Sequence, residues 1–244
     1  MGAAAVKAAL LASGGASCRF FSGKDRSGNM ENAQRKTCLL ISAGSVDKKM
    51  KNRIAPEKEF IIACDAGWKN CAALGLRPNL IVGDFDSAPQ PDDSPDTIIL
   101  PHIKDDTDTQ YAAEEAVRRG FTEVRMLGAL GGARLEHTLA NLGTGLWLEK
   151  HGVSVSIEDA CSRITFVRPG VPRQYHRGGY LYLSVFPAEG RAEGVCIDGA
   201  FYPLQDAVLE ASYPLGVSNE FIEKTVTIQA KTGFLAVIET ISDL

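Results

Sequence analysis

Two acidic residues one position apart, Asp84 and Asp86, close the apolar run Asn79-Leu-Ile-Val-Gly-Asp-Phe-Asp-Ser87. In an extended chain, positions two apart project to the same face, so both carboxylates would be presented together. Like charges held that close repel, and a cation that neutralises them is the natural resolution. Oxygen-only ligands at a strand end suit Mg²⁺ shared with a phosphate-bearing substrate. The competing reading is an Asx or Ser turn, which Asp and Ser at a strand end often make.

Other segments decide between the two. Lys104-Asp-Asp-Thr-Asp-Thr-Gln110 precedes a helix expected from about Tyr111 to Arg119 and closed by Gly120. One acid there can cap the helix and complement its dipole. Three exceed that need, so Asp105, Asp106 and Asp108 beside Lys104 read as a second half-site, with carboxylates for metal and an ammonium for phosphate. A third segment, Gly128-Ala-Leu-Gly-Gly-Ala-Arg-Leu-Glu-His137, links a strand at Glu123 to Leu127 with a helix reaching about Lys150. Such a glycine-rich turn, Gly131 included, exposes backbone N–H groups to a phosphate. Arg134 and Glu136 fall at the start of that helix, and Leu135, Leu139, Leu142 and Leu146 are spaced along one face of it. Asp65 follows the strand Glu59 to Cys64 and is either a helix N-cap or a ligand. Three chain-separated segments bringing acids or glycines to one sheet edge point to a phosphate-and-metal site.

The elements that must position these residues are strands with continuous rather than alternating apolar character. Thr37 to Ala43, Glu59 to Cys64, the run before Asp84, and Thr97 to Leu100 are of this kind, with a short surface helix over Val46 to Arg53 and another through Leu74, closed by Gly75. That pattern predicts an α/β domain over residues 37–160, built on a mainly parallel sheet covered on both faces. From Ser162 short strands dominate: Ile164 to Val167, Tyr180 to Phe186, Thr225 to Gln229, and Phe234 to Glu239. Residues 161–244 are therefore expected to form an all-β sandwich or jelly roll, with the boundary near Glu158 to Arg163. Residues 1–36 are rich in Ala, Gly and Ser. They are expected to be a flexible extension, either a targeting segment or the result of a start upstream of Met30.

Composition narrows the class. The chain of 244 residues is 45% apolar and 23% charged, with a net charge of −4 and no long basic run. This argues against a nucleic-acid partner. No apolar run reaches the length of a membrane span. The six cysteines include no C-x-x-C pair, and buried reduced thiols in a reducing, cytoplasmic compartment are expected.

Taken in order, Asp65-x-Gly67, Leu74 to Ser87, Asp105-Asp-Thr-Asp-Thr109, Gly131 to Asn141 and Ser218-Asn-Glu-Phe221 resemble the motifs of the thiamine pyrophosphokinase family. Each is weak alone, while the ordered set covers roughly residues 37 to 240. The resemblance implies a homodimeric enzyme with an α/β domain followed by a β-sandwich, and a site shared between subunits. It implies transfer of a diphosphoryl group from ATP to the hydroxyl of thiamine, with Mg²⁺ and release of AMP. It assigns Asp84, Asp86 and Asp108 to metal and catalysis, and Asp65, Lys104, Asp106, Gly131 and Arg134 to the nucleotide. Glu136, Tyr202, Ser218 and Asn219 fall to thiamine. The sequence departs from the family where Ala66 and Lys69 alter the motif after Asp65, where Glu136 replaces an Asp, and where Tyr202 or Phe201 is the nearest match to an aromatic contact. A pterin diphosphokinase, a D-x-D glycosyltransferase and a non-catalytic thiamine or nucleotide sensor are the alternatives.

Overall fold

The computed structural model describes residues 35–85, 96–101 and 106–241. Asp86, Lys104 and Asp105 lie outside that range, as does the expected extension through residue 34.

Six strands form the parallel part of a ten-stranded sheet: β1 (Thr37–Ile41), β2 (Glu59–Cys64), β3 (Leu80–Gly83), β4 (Asp96–Ile99), β5 (Glu123–Leu127) and β6 (Ser154–Glu158). Their spatial order is β6-β5-β1-β2-β3-β4, with every neighbouring pair parallel. Because both faces are covered, successive residues of β1 point into different cores. Cys38 and Leu40 pack with α2 (Asp108–Arg118) and α3 (Leu135–Lys150), among them Ala112, Ala116 and Leu148. Leu39 and Ile41 pack with Met50 of a short 3-10 helix (Lys48–Arg53) and with Cys71 and Leu74 of α1 (Gly67–Leu74). This double burial is what the unbroken apolar runs signalled.

The sheet does not stop at the expected domain boundary. Asp159 Oδ1 accepts hydrogen bonds from the Cys161 and Ser162 amides (2.8 and 2.6 Å), closing a turn that returns β7 (Ser162–Val167) antiparallel to β6. β14 (Leu235–Ile241), β9 (Tyr180–Pro187) and β12 (Gly216–Glu220) extend the same sheet. A second sheet, ordered β11-β10-β13-β8, packs on it from β8 (Arg173–His176), β10 (Arg191–Asp198), β11 (Leu204–Glu210) and β13 (Thr225–Gln229). Val167, Leu183, Val185 and Val237 meet Tyr175, Val195, Val226 and Ile228 between the layers, so the second half is an antiparallel sandwich.

Several expectations need correction. α2 begins at Asp108 rather than Tyr111, because Thr107 is its N-cap and accepts from Gln110 N at 3.1 Å. The leucine spacing found the packed face of α3 only in part: Leu142 and Leu146 pack half-buried against the core, but Leu135 and Leu139 are 67% and 63% exposed, while Asn141, Thr144, Gly145 and Leu148 are buried. A small residue is needed there, since a Cβ on Gly145 would sit 3.0 Å from Ile157 Cδ1 and 3.1 Å from Phe166 Cε2. Strands β6, β8, β10, β11 and β12 escaped the sequence reading. In β8, for instance, Tyr175 alone is buried. Cys38, Cys64 and Cys71 are buried free thiols and Cys161 a partly buried one, whereas Cys196 is disulfide-bonded, so the reduced-thiol expectation does not extend to it. Among the described residues no helix is long and apolar enough to cross a membrane.

Candidate active site

Three chain ends deliver three carboxylates to the C-terminal edge of the parallel strands, where open α/β sheets bind ligands. After β2 the chain turns at Asp65, which adopts φ +47° while its amide donates to Val82 O at 2.7 Å. The turn fits only because β3 ends in glycine; a Cβ on Gly83 would lie 2.9 Å from Asp65 Cα. Left-handed backbone in a non-glycine residue is strained, and such strain concentrates at functional sites. Asp65 is not the helix cap that it could have been. Ala66 occupies the N-cap position with no side-chain hydrogen bond, and Asp65 Oδ1 is buried without a hydrogen-bond partner.

Asp84 follows β3 directly. Phe85 has φ +58°, so the backbone leaves extended geometry there, and the second acid of the pair, Asp86, lies outside the described residues. Asp108 is the first residue of α2, with Thr107 taking the cap. One carboxylate oxygen from each of Asp65, Asp84 and Asp108 lies within 4.8 Å of the others. A buried acceptor left without a donor, inside a trio of oxygen ligands, fits a hard divalent cation.

A cavity of about 520 Å³ opens beside the trio, lined by Ser42 to Ser45, Asp65, Asp84, Asp108, Gly128, Ala129, Gly131 to Arg134, His137 and Asn141, among others. Two loops form its floor and are locked together. Ser42 N donates to Leu127 O (2.8 Å) and Gly44 N to Gly128 O (2.9 Å). Gly128 sits at φ +64° with room for no side chain, a Cβ there falling 2.5 Å from Ser42 O. Two amides, neither singled out from sequence, pin these loops. Asn70 Nδ2 donates to Ser42 O (2.8 Å) and Gly44 O (2.7 Å), and buried Asn141 donates to Ala129 O (2.9 Å). The position of Asn70 inside the motif after Asp65 was the available signal. Ser42 Oγ and Thr109 Oγ1, 3.1 Å apart, close the base. Burial pushes the Cys64 thiol up and the charge of Asp108 adds to that, so this cavity residue stays protonated at neutral pH.

The remaining sequence candidates divide. Gly131 (φ +68°) and Arg134 line the cavity. Glu136 is not part of its wall; it is exposed and accepts a hydrogen bond from Arg134 Nε at 2.7 Å, which holds its carboxyl below the usual value. Asp106 is exposed just before α2. Tyr202, Ser218 and Asn219 sit in the sandwich and do not reach this cavity. Asn219, 3% exposed, is engaged locally: its Oδ1 accepts from Tyr202 N and its Nδ2 donates to Tyr202 O, both at 2.8 Å. That clasp holds Phe201 57% exposed, with its ring edge-on to Tyr202 at 4.9 Å. Ser218 is exposed, at φ +55°.

No curated protein sequence matches the chain significantly. Solved structures do. Thiamine pyrophosphokinase from Bacillus subtilis superposes with a TM-score of 0.76 at 21% identity, over 85% of this chain and 100% of that one. The Geobacillus thermodenitrificans thiamin pyrophosphokinase gives 0.74 at 25% identity, over 85% and 98%. The yeast enzyme gives 0.71 at 12%, over 86% and 88%, a likeness of fold. The family model for the thiamin pyrophosphokinase catalytic domain matches residues 52–157, which hold the whole acidic trio. The model for the vitamin B1 binding domain matches residues 172–235, which include Tyr202, Ser218 and Asn219. With both models matched in order over a shared fold, the chain belongs to the thiamin pyrophosphokinase family.

Proposed function

We propose that the acidic cavity transfers a diphosphoryl group from ATP to the hydroxyl of thiamine, giving thiamine diphosphate and AMP, with Mg²⁺ as the metal. The observation that carries this reading is the convergence of Asp65, Asp84 and Asp108 beside a glycine-rich floor. Asp84 and Asp108, with Asp86, are the metal ligands in this reading, and Asp65 adds its unpartnered oxygen. A bound divalent cation would neutralise charge on the phosphate oxygens, the main demand of phosphoryl-type transfer. Lys104, Asp106, Arg134 and the backbone around Gly131 are assigned to the nucleotide. One carboxylate of the cluster takes the hydroxyl proton as the new P–O bond forms and AMP leaves.

Thiamine falls to Tyr202 and its neighbour Phe201, to Ser218 and to Glu136, with Asn219 positioning the aromatic pair. Since those sandwich residues do not line the cavity of their own chain, a homodimer in which a second copy's sandwich closes the cavity is part of the proposal. The exposure of Leu135 and Leu139 on one region and of Phe201 and Ile222 on the other supports it. A cytoplasmic location is proposed from the free thiols of Cys38, Cys64, Cys71 and Cys161, with the Cys196 disulfide as the feature that opposes it.

The test is incubation with ATP, thiamine and Mg²⁺, scoring AMP and thiamine diphosphate, with sedimentation to read the assembly. Product formation that stops on chelation and returns with Mg²⁺ is expected. Binding of thiamine without product, or turnover only with a pterin alcohol, would overturn the reading.

A further inference from the structure

The sheet face that carries Leu39 and Ile61 is covered at one end by α1 and the 3-10 helix and at the other by the second sheet. Between these covers, over β5, β6 and β7, lies a second cavity of about 360 Å³ that shares no lining residue with the catalytic one. Four arginines line it, and two are matched by acids. Arg125 binds Glu59 (2.6 Å) and, through two nitrogens, Glu158 (3.1 and 3.2 Å). Arg163 is bidentate on Glu239 (2.8 and 2.9 Å).

Arg53, at the end of the 3-10 helix, and Arg173, at the start of β8, differ. Neither has a carboxylate within ion-pair distance among the described residues, and each donates one side-chain hydrogen bond to a main-chain carbonyl, Asp159 O at 3.4 Å and Phe166 O at 2.8 Å. A guanidinium carries five N–H donors in a planar fork suited to carboxylate or phosphate, so most of each fork is uncommitted. Tyr180 and Ser154 add neutral hydrogen-bonding groups, and among the described residues Glu123 is the one lining carboxylate that no arginine holds.

We propose that this interdomain cleft binds a small molecule bearing an oxyanion group, phosphate or carboxylate, for which Arg53 and Arg173 supply the uncommitted donors. Glu123 disfavours a polyanion, and the volume of about 360 Å³ is near the lower end of small-molecule sites, which favours a small ligand.

Calorimetric titration in Tris chloride at fixed ionic strength tests this, with inorganic phosphate and acetate as separate probes and added chloride as the blank. Saturable binding of either probe is expected, and whichever binds assigns the phosphate or the carboxylate source. The Arg53→Gln/Arg173→Gln protein should bind at least tenfold more weakly. Arg173→Lys, which keeps the charge and loses the fork, should bind severalfold more weakly, and it decides the question if the double variant does not fold. Arg134→Gln, altered in the catalytic cavity, should bind as the parent does. No saturable binding, parent-like affinity in the cleft variants, or loss of binding in Arg134→Gln would each overturn the proposal.

Discussion

Carboxylates in the two cavities of this molecule are arranged in opposite ways. At the edge of the sheet, Asp65, Asp84 and Asp108 converge on one another. Over the middle of the sheet, Glu59, Glu158 and Glu239 each converge on a guanidinium. The first arrangement accumulates repulsion and includes a strained residue and a buried acceptor without a donor, features that cost stability in the protein alone. The second satisfies its charges internally. Burial would raise the Glu158 carboxyl, yet the hydrogen bonds and charge of Arg125 outweigh it and hold the group below its ordinary value. Acids of the same chemical kind are thus a candidate for catalysis in one place and a structural tie in the other. Among the described residues, the first cluster is marked by the strained Asp65 with its unpartnered oxygen, and the second by an arginine set between its acids.

The largest expected effects test this contrast directly. Asp84→Asn should lower turnover by about a thousandfold, on the order of 4 kcal/mol in the barrier, because a charge that anchors the cation is lost. Its melting temperature should change little, because Asn keeps the shape of the side chain and a hydrogen-bonding oxygen. Initial rates of AMP release and calorimetric melting read the two quantities separately, and a large fall in melting temperature at parental turnover would break the contrast. Arg125→Met should do the reverse. It strands Glu59 and Glu158 as buried, unmatched acids, and removing one partner of such a network costs about 3–5 kcal/mol. Denaturant unfolding should show that loss, while kcat per folded molecule stays near the parent value.

The sequence exposed the catalytic cluster better than the structural one, for a physical reason. Asp65, Asp84 and Asp108 each lie at a break between an apolar strand and a helix or turn, and such breaks stand out in one dimension. The Arg125 network joins residues 66 and 33 positions away in sequence, so only the parallel register of β5 with its neighbours reveals it. The parallel half of the fold was legible because unbroken apolar runs have few other uses. In the sandwich, strands such as β8 and β12 bury one or two residues each and carry little pattern. Asp84 at the end of an apolar strand was legible from residue type, whereas the left-handed backbone of Phe85 beside it was not.

A smaller effect sharpens the comparison from the catalytic side. Asn70 touches no carboxylate of the trio in any described hydrogen bond; it ties down the Ser42 and Gly44 carbonyls that shape the cavity floor. Asn70→Ala should cost about 1–3 kcal/mol of stability through the unmatched carbonyls. It should also raise KM for ATP by several-fold more than it lowers kcat. A parental KM would show that the floor holds its shape without this tie.

The smallest effect is a pH dependence confined to the structural network. Glu158 has a folded-state pKa below the ordinary 4.5, its burial being outweighed by Arg125. For an acid whose pKa is depressed by folding, the unfolded chain binds more protons in the window between the two values. The stability contributed by the Arg125–Glu158 pair is therefore fully present above about pH 4.5 and is lost as the pH falls through the lowered value. Glu158→Gln removes that titration while keeping a group that can accept from Arg125. Its melting temperature should start below the parent's at neutral pH, and the two curves should approach each other as the pH drops below 4.5. Melting curves collected from pH 7 to pH 3 at constant ionic strength measure this. Parallel curves over the whole range would mean that the charge on Glu158 contributes nothing, and that packing alone holds β5 against β6 at the cleft.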